Sequence, residues 1–425
     1  MYDVIIIGGG TSGLMASISA AKHNAKVLLI EKNAELGKKL LLTGGGRCNV
    51  TNNRPSDEVI KHIPGNGKFL YSAFSQFDNY NIMSFFQHHG VALKEEDHGR
   101  MFPITDRSQT IRDTFIDLIK RYGVTVKTKA TVTQIEHEQN KILGITLSSG
   151  EFIAGKSIII ATGGKSIPRT GSTGDGYIFA KQMGHTITPL FPTEVPLTSN
   201  EPFIQEKTLQ GLSLREIALS VVNQKKKVII THRMDMIFTH FGVSGPAVLR
   251  CSSFVHKELS KYPMSDVTLK LDCLPDYSTP QLTQQLIQTQ KNDPQKEIKT
   301  VLKQYIPERL VLFFLKKQAI LPNTALKQLN ISDFENLAYL LKEWTFTVNG
   351  SLPLEKSFVT GGGIHLKEIN PKTMESKIVP HLFFCGEILD IHGYTGGYNI
   401  TAAFVTGYIA GKHAAQLKSE IYTSL

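Results

Sequence analysis

The first thirty-one residues constrain the fold of this chain more than any other stretch. An apolar run, Met1-Tyr2-Asp3-Val4-Ile5-Ile6-Ile7, leads into Gly8-Gly9-Gly10-Thr11-Ser12-Gly13. A small and apolar helix-like segment follows, then Val27-Leu28-Leu29-Ile30 and Glu31. The pattern reads as a buried strand, a G-x-G-x-x-G turn, a helix, a second buried strand and an acid at its end. Gly8 makes the tight turn, Gly10 lets a pyrophosphate approach the backbone, and Gly13 lets the helix pack on the strand. Free N–H groups at the helix start, with the positive end of its dipole, face the phosphates. Glu31 lies where a carboxylate accepts hydrogen bonds from both hydroxyls of an adenosine ribose. A lone G-x-G-x-x-G says little, but strand, helix and acid in these positions specify a dinucleotide site.

The chain has 425 residues, which suggests two or three domains. No apolar run reaches the length of a membrane span. The N-terminal run lacks a basic flank, so it reads as a strand and not a signal peptide. Cys48, Cys251, Cys273 and Cys385 are widely spaced, without metal-type spacing, which fits a reducing cytoplasm. Lys plus Arg exceed Asp plus Glu by ten. The excess is diffuse; its densest run is Lys225-Lys226-Lys227, with His232 and Arg233 after it. A solvated basic surface and a polyanion partner such as RNA both fit that balance.

Residues 107–122 carry Ile111, Phe115, Leu118 and Ile119 on one helical face, ended by Gly123. Strands are expected at 124–126, 131–135, 142–147 and 151–153. Ser157 to Ala161 is fully apolar and therefore central. Residues 204–272 alternate in strand fashion, and 279–343 read as helical. Thr279 with Pro280, and Ser332-Asp333-Phe334-Glu335, are candidate helix starts. A last helix is expected from about 397 to 417. The expected division is a nucleotide domain of 1–190 plus 355–425, a β-rich insertion of 191–275 plus 344–354, and a helical part of 276–343.

Further motifs carry chemistry. Gly386-Glu387 follows an apolar strand, where an acid reaches a ribityl hydroxyl of FAD or simply caps a turn. Gly393-Tyr394-Thr395-Gly396-Gly397-Tyr398-Asn399 precedes a helix, and bare N–H groups there suit negative charge on a flavin pyrimidine. Together with Ala161-Thr162-Gly163-Gly164 at a strand end, these runs point to FAD rather than NAD. Thr43-Gly44-Gly45-Gly46-Arg47-Cys48-Asn49 costs conformational entropy that makes sense where backbone lies against a ligand. Arg47 suits a phosphate or carbonyl oxygen. Cys48 is either a thiol acid beside the flavin or a packing residue. Arg100 and Phe102 in Gly99-Arg100-Met101-Phe102-Pro103, and His240 and Phe241 before Gly242-Val243-Ser244-Gly245-Pro246, are candidate substrate contacts. The latter turn lies over the flavin or joins a strand to a helix. Thr360-Gly361-Gly362-Gly363 reads as a close backbone approach where the chain re-enters its first domain.

GGGTSG, TGGGRCNVTN, GRMFP, ATGG, THFGVSGP, TGGGI and GEILDIHGYTGGYN together resemble the BaiN-like (YhiN-type) flavoprotein family of NAD(P)/FAD-dependent oxidoreductases. The resemblance spans essentially the whole chain. It implies a glutathione-reductase-like FAD domain in two segments, with inserted β-barrel-like and helical subdomains. It carries FAD contacts onto Gly8, Gly10, Ser12, Gly13, Glu31, Lys32, Gly46, Arg47, Cys48, Val132, Thr162, Gly163, Glu387 and Asn399. Thr11, Lys38, Thr43, Gly44, Gly45, Ala161, Gly164, Gly386, Gly396, Gly397 and Tyr398 complete the expected set; no metal ligand is expected. Members of the family reduce activated C=C bonds of steroid-like acids, oxidise amines, or reduce a ribosomal RNA uridine to dihydrouridine. His392 stands before Gly393 where many members have an acid. One dinucleotide fingerprint means that NAD(P)H, as reductant, docks transiently on the flavin, or that electrons come from elsewhere. The favoured expectation is hydride transfer to an activated double bond, ribosomal RNA being the substrate, with Cys48, His392 or Tyr394 as proton donor. A small-molecule enone reductase, an amine oxidase and a non-enzymatic FAD-stabilised RNA-binding factor are the alternatives.

Overall fold

The computed structural model describes residues 1–139, 141–262 and 266–416. The chain divides into two compact units, Met1–Phe191 with Leu354–Leu425, and Pro192–Pro353.

The first unit is built on a seven-stranded sheet. Its strands are β1 (Tyr2–Ile7), β2 (Val27–Ile30), β3 (Thr125–Lys127), β4 (Val132–Glu138), β5 (Lys141–Leu147), β6 (Phe152–Ile160) and β7 (Leu382–Phe384). The order is β3-β2-β1-β6-β5-β4, and β7 also pairs with β6. β3, β2, β1, β6 and β7 run parallel, as βαβ units covered by helices require. β4 and β5 form an antiparallel hairpin joined to the first half of β6. The two short strands expected at 151–153 and 157–161 are thus one strand. Its first half serves the hairpin and its second half, Ser157–Ile160, is buried between β1 and β7.

Helix α1 (Thr11–Lys22) and the C-terminal α3 (Tyr398–Gln416) pack closely. A Cβ on Gly407 would lie 2.4 Å from the Ser12 carbonyl, and one on Gly411 2.2 Å from that of Ala16. Helix α2 (Ser108–Arg121) buries Ile111, Phe115, Leu118 and Ile119, the face read from their spacing. A small antiparallel sheet, Thr51–Asn52 against Arg100–Pro103 against Leu93–Glu96, fills part of the long segment after β2.

The second unit holds a seven-stranded antiparallel sheet, running in order Trp344–Val348, Val267–Asp272, Ser213–Val222, Val228–Phe238, Gly242–Ser244, Leu197–Thr198 and Gly350–Ser351. Pro246–Lys261 interrupts the strand pattern as a 16-residue helix with Pro at its start, burying Ala247, Val248, Cys251 and Val255. The helices between 279 and 343 share one core with the sheet, in which Leu282, Phe314 and Leu337 join Leu219, Leu269 and Trp344. Two helix starts differ from expectation. Ser278, not Thr279, caps the helix Thr279–Asn292 in a capping box with Gln281. Asn330, not Ser332, caps Ile331–Glu343 with Asp333. The helix thus starts two residues earlier than expected, and it buries Phe334, Leu337, Ala338 and Leu341. Among the described residues no helix is long and apolar enough to cross a membrane.

Candidate functional site

Three parallel strands end level. Ile7 pairs with Ile160, and Ile160 with Phe384, so Gly8, Ala161 and Cys385 leave the sheet side by side. The crevice at such carboxyl ends is the binding position of open α/β sheets. Gly8 takes φ +108° and turns the chain into α1. A Cβ on Gly13 would lie 1.9 Å from the Gly8 carbonyl oxygen, so this helix start tolerates no side chain there. A Cβ on Gly10, by contrast, would meet nothing within 4 Å. The first turn of α1 has neither a side-chain cap nor an acid, so its N–H groups are left for a ligand. Ser12 is buried, its hydroxyl donating to the Cys385 carbonyl at 3.4 Å.

Glu31 is buried at the end of β2. Its Oε2 accepts from the Gly9 N–H at 2.8 Å, and its Oε1 from the Asn33 N–H at 2.7 Å and side-chain amide at 2.8 Å. The carboxylate therefore shapes the glycine turn. The Ala130 N–H donates to the Glu31 carbonyl at 3.1 Å, which brings Val132, at the start of β4, beside it. Lys32 is paired with Asp175 at 2.6 Å.

Glu387 follows β7. Its Oε1 accepts from the Thr360 N–H at 2.8 Å and the Ser166 hydroxyl at 3.0 Å, and its Oε2 from Lys39 Nζ at 2.8 Å. Burial works against its charge, but the Lys39 ammonium, the Thr360 N–H and the Ser166 hydroxyl outweigh burial and hold the carboxyl below its ordinary range. Lys39, and not the exposed Lys38, occupies this position. Gly164 belongs to the same nest, because a Cβ there would lie 2.4 Å from Thr360 Oγ1.

The two most distinctive runs meet in a second cluster. Gly44, Gly45 and Gly46 take φ of +57°, +68° and +87° in succession, a path that L side chains resist. Cβ atoms on Gly45 and Gly46 would point into open space. Beyond them, Asn52 Nδ2 donates to the Gly396 carbonyl at 3.1 Å, and the Thr51 and Thr401 hydroxyls share a 2.7 Å hydrogen bond. A Cβ on Gly397 would lie 2.7 Å from the Thr51 carbonyl. Asn399 is used within its own loop, accepting from the Gly393 N–H at 2.7 Å and donating to its carbonyl at 2.8 Å.

Arg47 lies over the Phe102 ring, 4.1 Å from its centroid, and pairs with Glu96 at 2.8 Å. Its hydrogen bond to Glu96 outweighs desolvation and strengthens its hold on the proton. Arg100, two residues from Phe102 on the same strand face, pairs with Asp97 and reaches the same ring at 5.6 Å. Phe102 itself is 1% exposed. It is the platform for the two guanidinium groups, and the expectation that it touches substrate is corrected.

Cys48 is corrected too. It has 0% exposure, and burial pushes its thiol up to about 12, against a weaker opposing hydrogen bond with Thr43. Such a group offers a ligand no surface and a base no proton. His392 and Tyr394 lie in the loop before α3, 3% and 7% exposed. Gly65 and His392 form a backbone bridge, and the Tyr394 N–H donates to the His62 carbonyl at 3.0 Å. The His62 ring stacks on Tyr398, 4.8 Å between centroids. His240 and Phe241 belong to the second unit, in the turn between Phe238 and Gly242, with His240 exposed.

A family model described as the HI0933-like protein Rossmann domain matches residues 2–413. The chain belongs to that family. This HI0933-like protein is 32% identical over 98% of its length, and 99% of the relative's, to the ribosomal RNA dihydrouridine synthase of Escherichia coli (strain K12). It is 29% identical over 98% of its length, and 100% of the relative's, to the 3-dehydro-bile acid delta(4,6)-reductase of Clostridium scindens. In fold it is similar to 3-ketosteroid delta1-dehydrogenase from Sterolibacterium denitrificans, with a TM-score of 0.52 at 12% identity, covering 98% of this chain and 99% of that one. The HI0933-like protein is an FAD-dependent oxidoreductase.

The residues present fit FAD. Gly10, Gly45 and Gly46 leave a cradle that Cβ atoms would enter. Among the described residues the buried Asn49 Oδ1 and Thr162 Oγ1 have no hydrogen-bond partner. Each lies in an expected run, the first 3.0 Å from where a Cβ on Gly397 would sit. Lys39, Ser166, Thr360, Asn49 and Asn52 were not singled out as contacts in the sequence reading. Of these, Asn49 and Asn52 lie in TGGGRCNVTN and Thr360 opens TGGGI, so the motifs themselves held the signal.

Proposed function

We propose that this HI0933-like protein reduces a uridine of ribosomal RNA to dihydrouridine, drawing electrons from NAD(P)H in the cytoplasm. The observation that carries the substrate choice is the full-length relative named ribosomal RNA dihydrouridine synthase. The surface supports it. Lys225, Lys226 and Lys227 are all exposed at the tip of the hairpin between Ser213–Val222 and Val228–Phe238. Asn223 holds that tip, its Oδ1 accepting from the Lys225 and Lys227 N–H groups at 2.9 Å. Arg233, by contrast, is neutralised by a bidentate pair with Asp276.

Bound FAD would supply the hydride for one carbon of the double bond. The chain supplies the rest. α1 and the glycine turn hold the pyrophosphate, Glu31 the ribose, and the Glu387 nest the flavin side of the crevice. His392 and Tyr394 are the candidates for protonating the neighbouring carbon. A second reading, reduction of a small enone, is favoured by the bile acid reductase among the full-length relatives.

The test is RNA affinity across a salt series, with dihydrouridine content of ribosomal RNA from a strain lacking the gene. Phosphate contacts on single strands give a log–log salt slope of about −0.7 each. Changing Lys225, Lys226 and Lys227 to Ala should flatten the slope and leave flavin reduction untouched. Salt-insensitive binding with unchanged dihydrouridine would favour the small-molecule reading.

A further inference from the structure

A cleft of about 590 Å³ opens on the first unit between the segment around Ile60–Tyr71 and the short turn at Leu366 and Lys367. Its size is that of a small-molecule or nucleotide site, but its lining differs from the crevice at the strand ends. Lys61, Lys68 and Lys367 line it and no carboxylate does. Lys61 is already paired with Asp57 and Glu58. Among the described residues Lys68 and Lys367 have no ion-pair partner. Lys377 adds a third cation that has no carboxylate partner among the described residues, its Nζ donating to the Lys367 carbonyl at 3.0 Å. Beside them Tyr71 is 49% exposed, and Phe69 is half-buried.

Uncompensated ammonium groups beside an exposed aromatic face are the chemistry of single-stranded nucleic acid binding. The cations follow the phosphates and the ring accepts an unpaired base in a stack. The cleft also touches the loop that leads to His392. Asn66, in its wall with φ +60°, donates from Nδ2 to the Asp390 carbonyl at 2.8 Å, and neighbouring Gly65 forms the backbone bridge with His392. A strand held in the cleft therefore bears on the loop that carries the candidate proton donors.

We propose that this cleft seats a single-stranded segment of the substrate RNA, with Tyr71 stacking on a base and Lys68 and Lys367 meeting backbone phosphates. This rests on the reading that the substrate is RNA, and deepens it by giving the strand a track outside the crevice. The probe is a single-stranded ribosomal RNA fragment, titrated into the FAD-loaded protein over a salt series. Tyr71→Ala should weaken binding roughly 5- to 150-fold, the range of one lost base stack. Lys68→Ala with Lys367→Ala should lower the log–log salt slope by about 1.4, for two phosphates. All three side chains are on the surface, so FAD content and Tm should match wild type. Tyr71→Phe should restore binding, because it keeps the stacking face. Wild-type protein that binds the fragment while all these variants bind it equally well would overturn the cleft assignment alone. Wild-type protein that does not bind RNA would overturn the RNA reading beneath it.

Discussion

Gly10 and Gly13 lie three residues apart in one turn, and the structure predicts opposite consequences for filling them. Gly10 has φ −81° and ψ −170°, open to any residue, and its Cβ direction is empty for 4 Å. In the apoprotein Gly10→Ala loses a few tenths to about 1 kcal/mol as a poorer helix cap. It regains about 0.4–1 kcal/mol by restricting the unfolded chain. The two nearly cancel, so apoprotein Tm should move by no more than a few degrees. On the proposed cofactor assignment the same methyl group would occupy the approach of the pyrophosphate. Losing one hydrogen bond to a charged group, at about 1.5–3 kcal/mol, weakens FAD by roughly 10- to 150-fold, and the bulkier Gly10→Val should purify colourless. Gly13→Ala places its Cβ 1.9 Å from the Gly8 carbonyl oxygen. Relieving that overlap costs about 1–3 kcal/mol of stability even without cofactor. Flavin absorbance after purification, FAD titration of stripped protein and apoprotein melting separate the cases. Gly10→Val protein with undiminished FAD would refute the pyrophosphate assignment, and an unperturbed Gly13→Ala apoprotein would refute the helix-start geometry.

Glu31→Ala should weaken FAD by about one to two orders of magnitude through its lost ribose bonds, and lower apoprotein Tm because the Gly9 N–H loses its acceptor; an unchanged dissociation constant would remove Glu31 from the site. Glu387 is held below the ordinary carboxylate range when folded, so its contribution to stability is complete above the unfolded value near ~4.3 and fades as pH falls through the folded value. The Tm deficit of Glu387→Gln, read across a pH series, should accordingly be large near neutrality and shrink in acid; a deficit that grows in acid would contradict the Lys39–Glu387 pairing. Cys48, with its thiol pushed up to about 12 by burial, should resist iodoacetamide at pH 8 in native protein, and Cys48→Ala should keep most of its turnover. Rapid native alkylation, followed by peptide mapping to Cys48, would return it to the list of acids.

The glycine turn was legible because its residues answer to backbone geometry and not to distant partners. The same holds for β1, β2 and the second half of β6, where short apolar runs rich in Ile and Val, with glycine turns after β1 and β6, read as buried strands. What escaped was decided by tertiary contact. Lys38 and Lys39 are adjacent and chemically equal, and only the path of the turn aims Lys39 at Glu387. Phe102 and Arg100 share a motif, yet one is a buried platform and the other rests on it, a difference set by the neighbouring strand and Arg47. Asn330 and Ser332 are both good caps, and the core position of Phe334 and Leu337 chose between them. The helix at Pro246–Lys261 sits among strands with Ser and β-branched residues of its own, so its period was masked. Asn49 and Asn52 were visible as letters, but their tie to Gly396 and Gly397 joins segments some 340 residues apart.

The most direct test of the central claim starts with protein whose FAD has been fully reduced without oxygen. It is mixed with ribosomal RNA from the strain lacking the gene, and flavin absorbance is followed while the RNA is digested and analysed. The account predicts that RNA reoxidises the flavin and gains one dihydrouridine for each flavin reoxidised, two electrons for two. Flavin that stays reduced in the presence of RNA, yet is promptly reoxidised by a steroid-like enone, would contradict it.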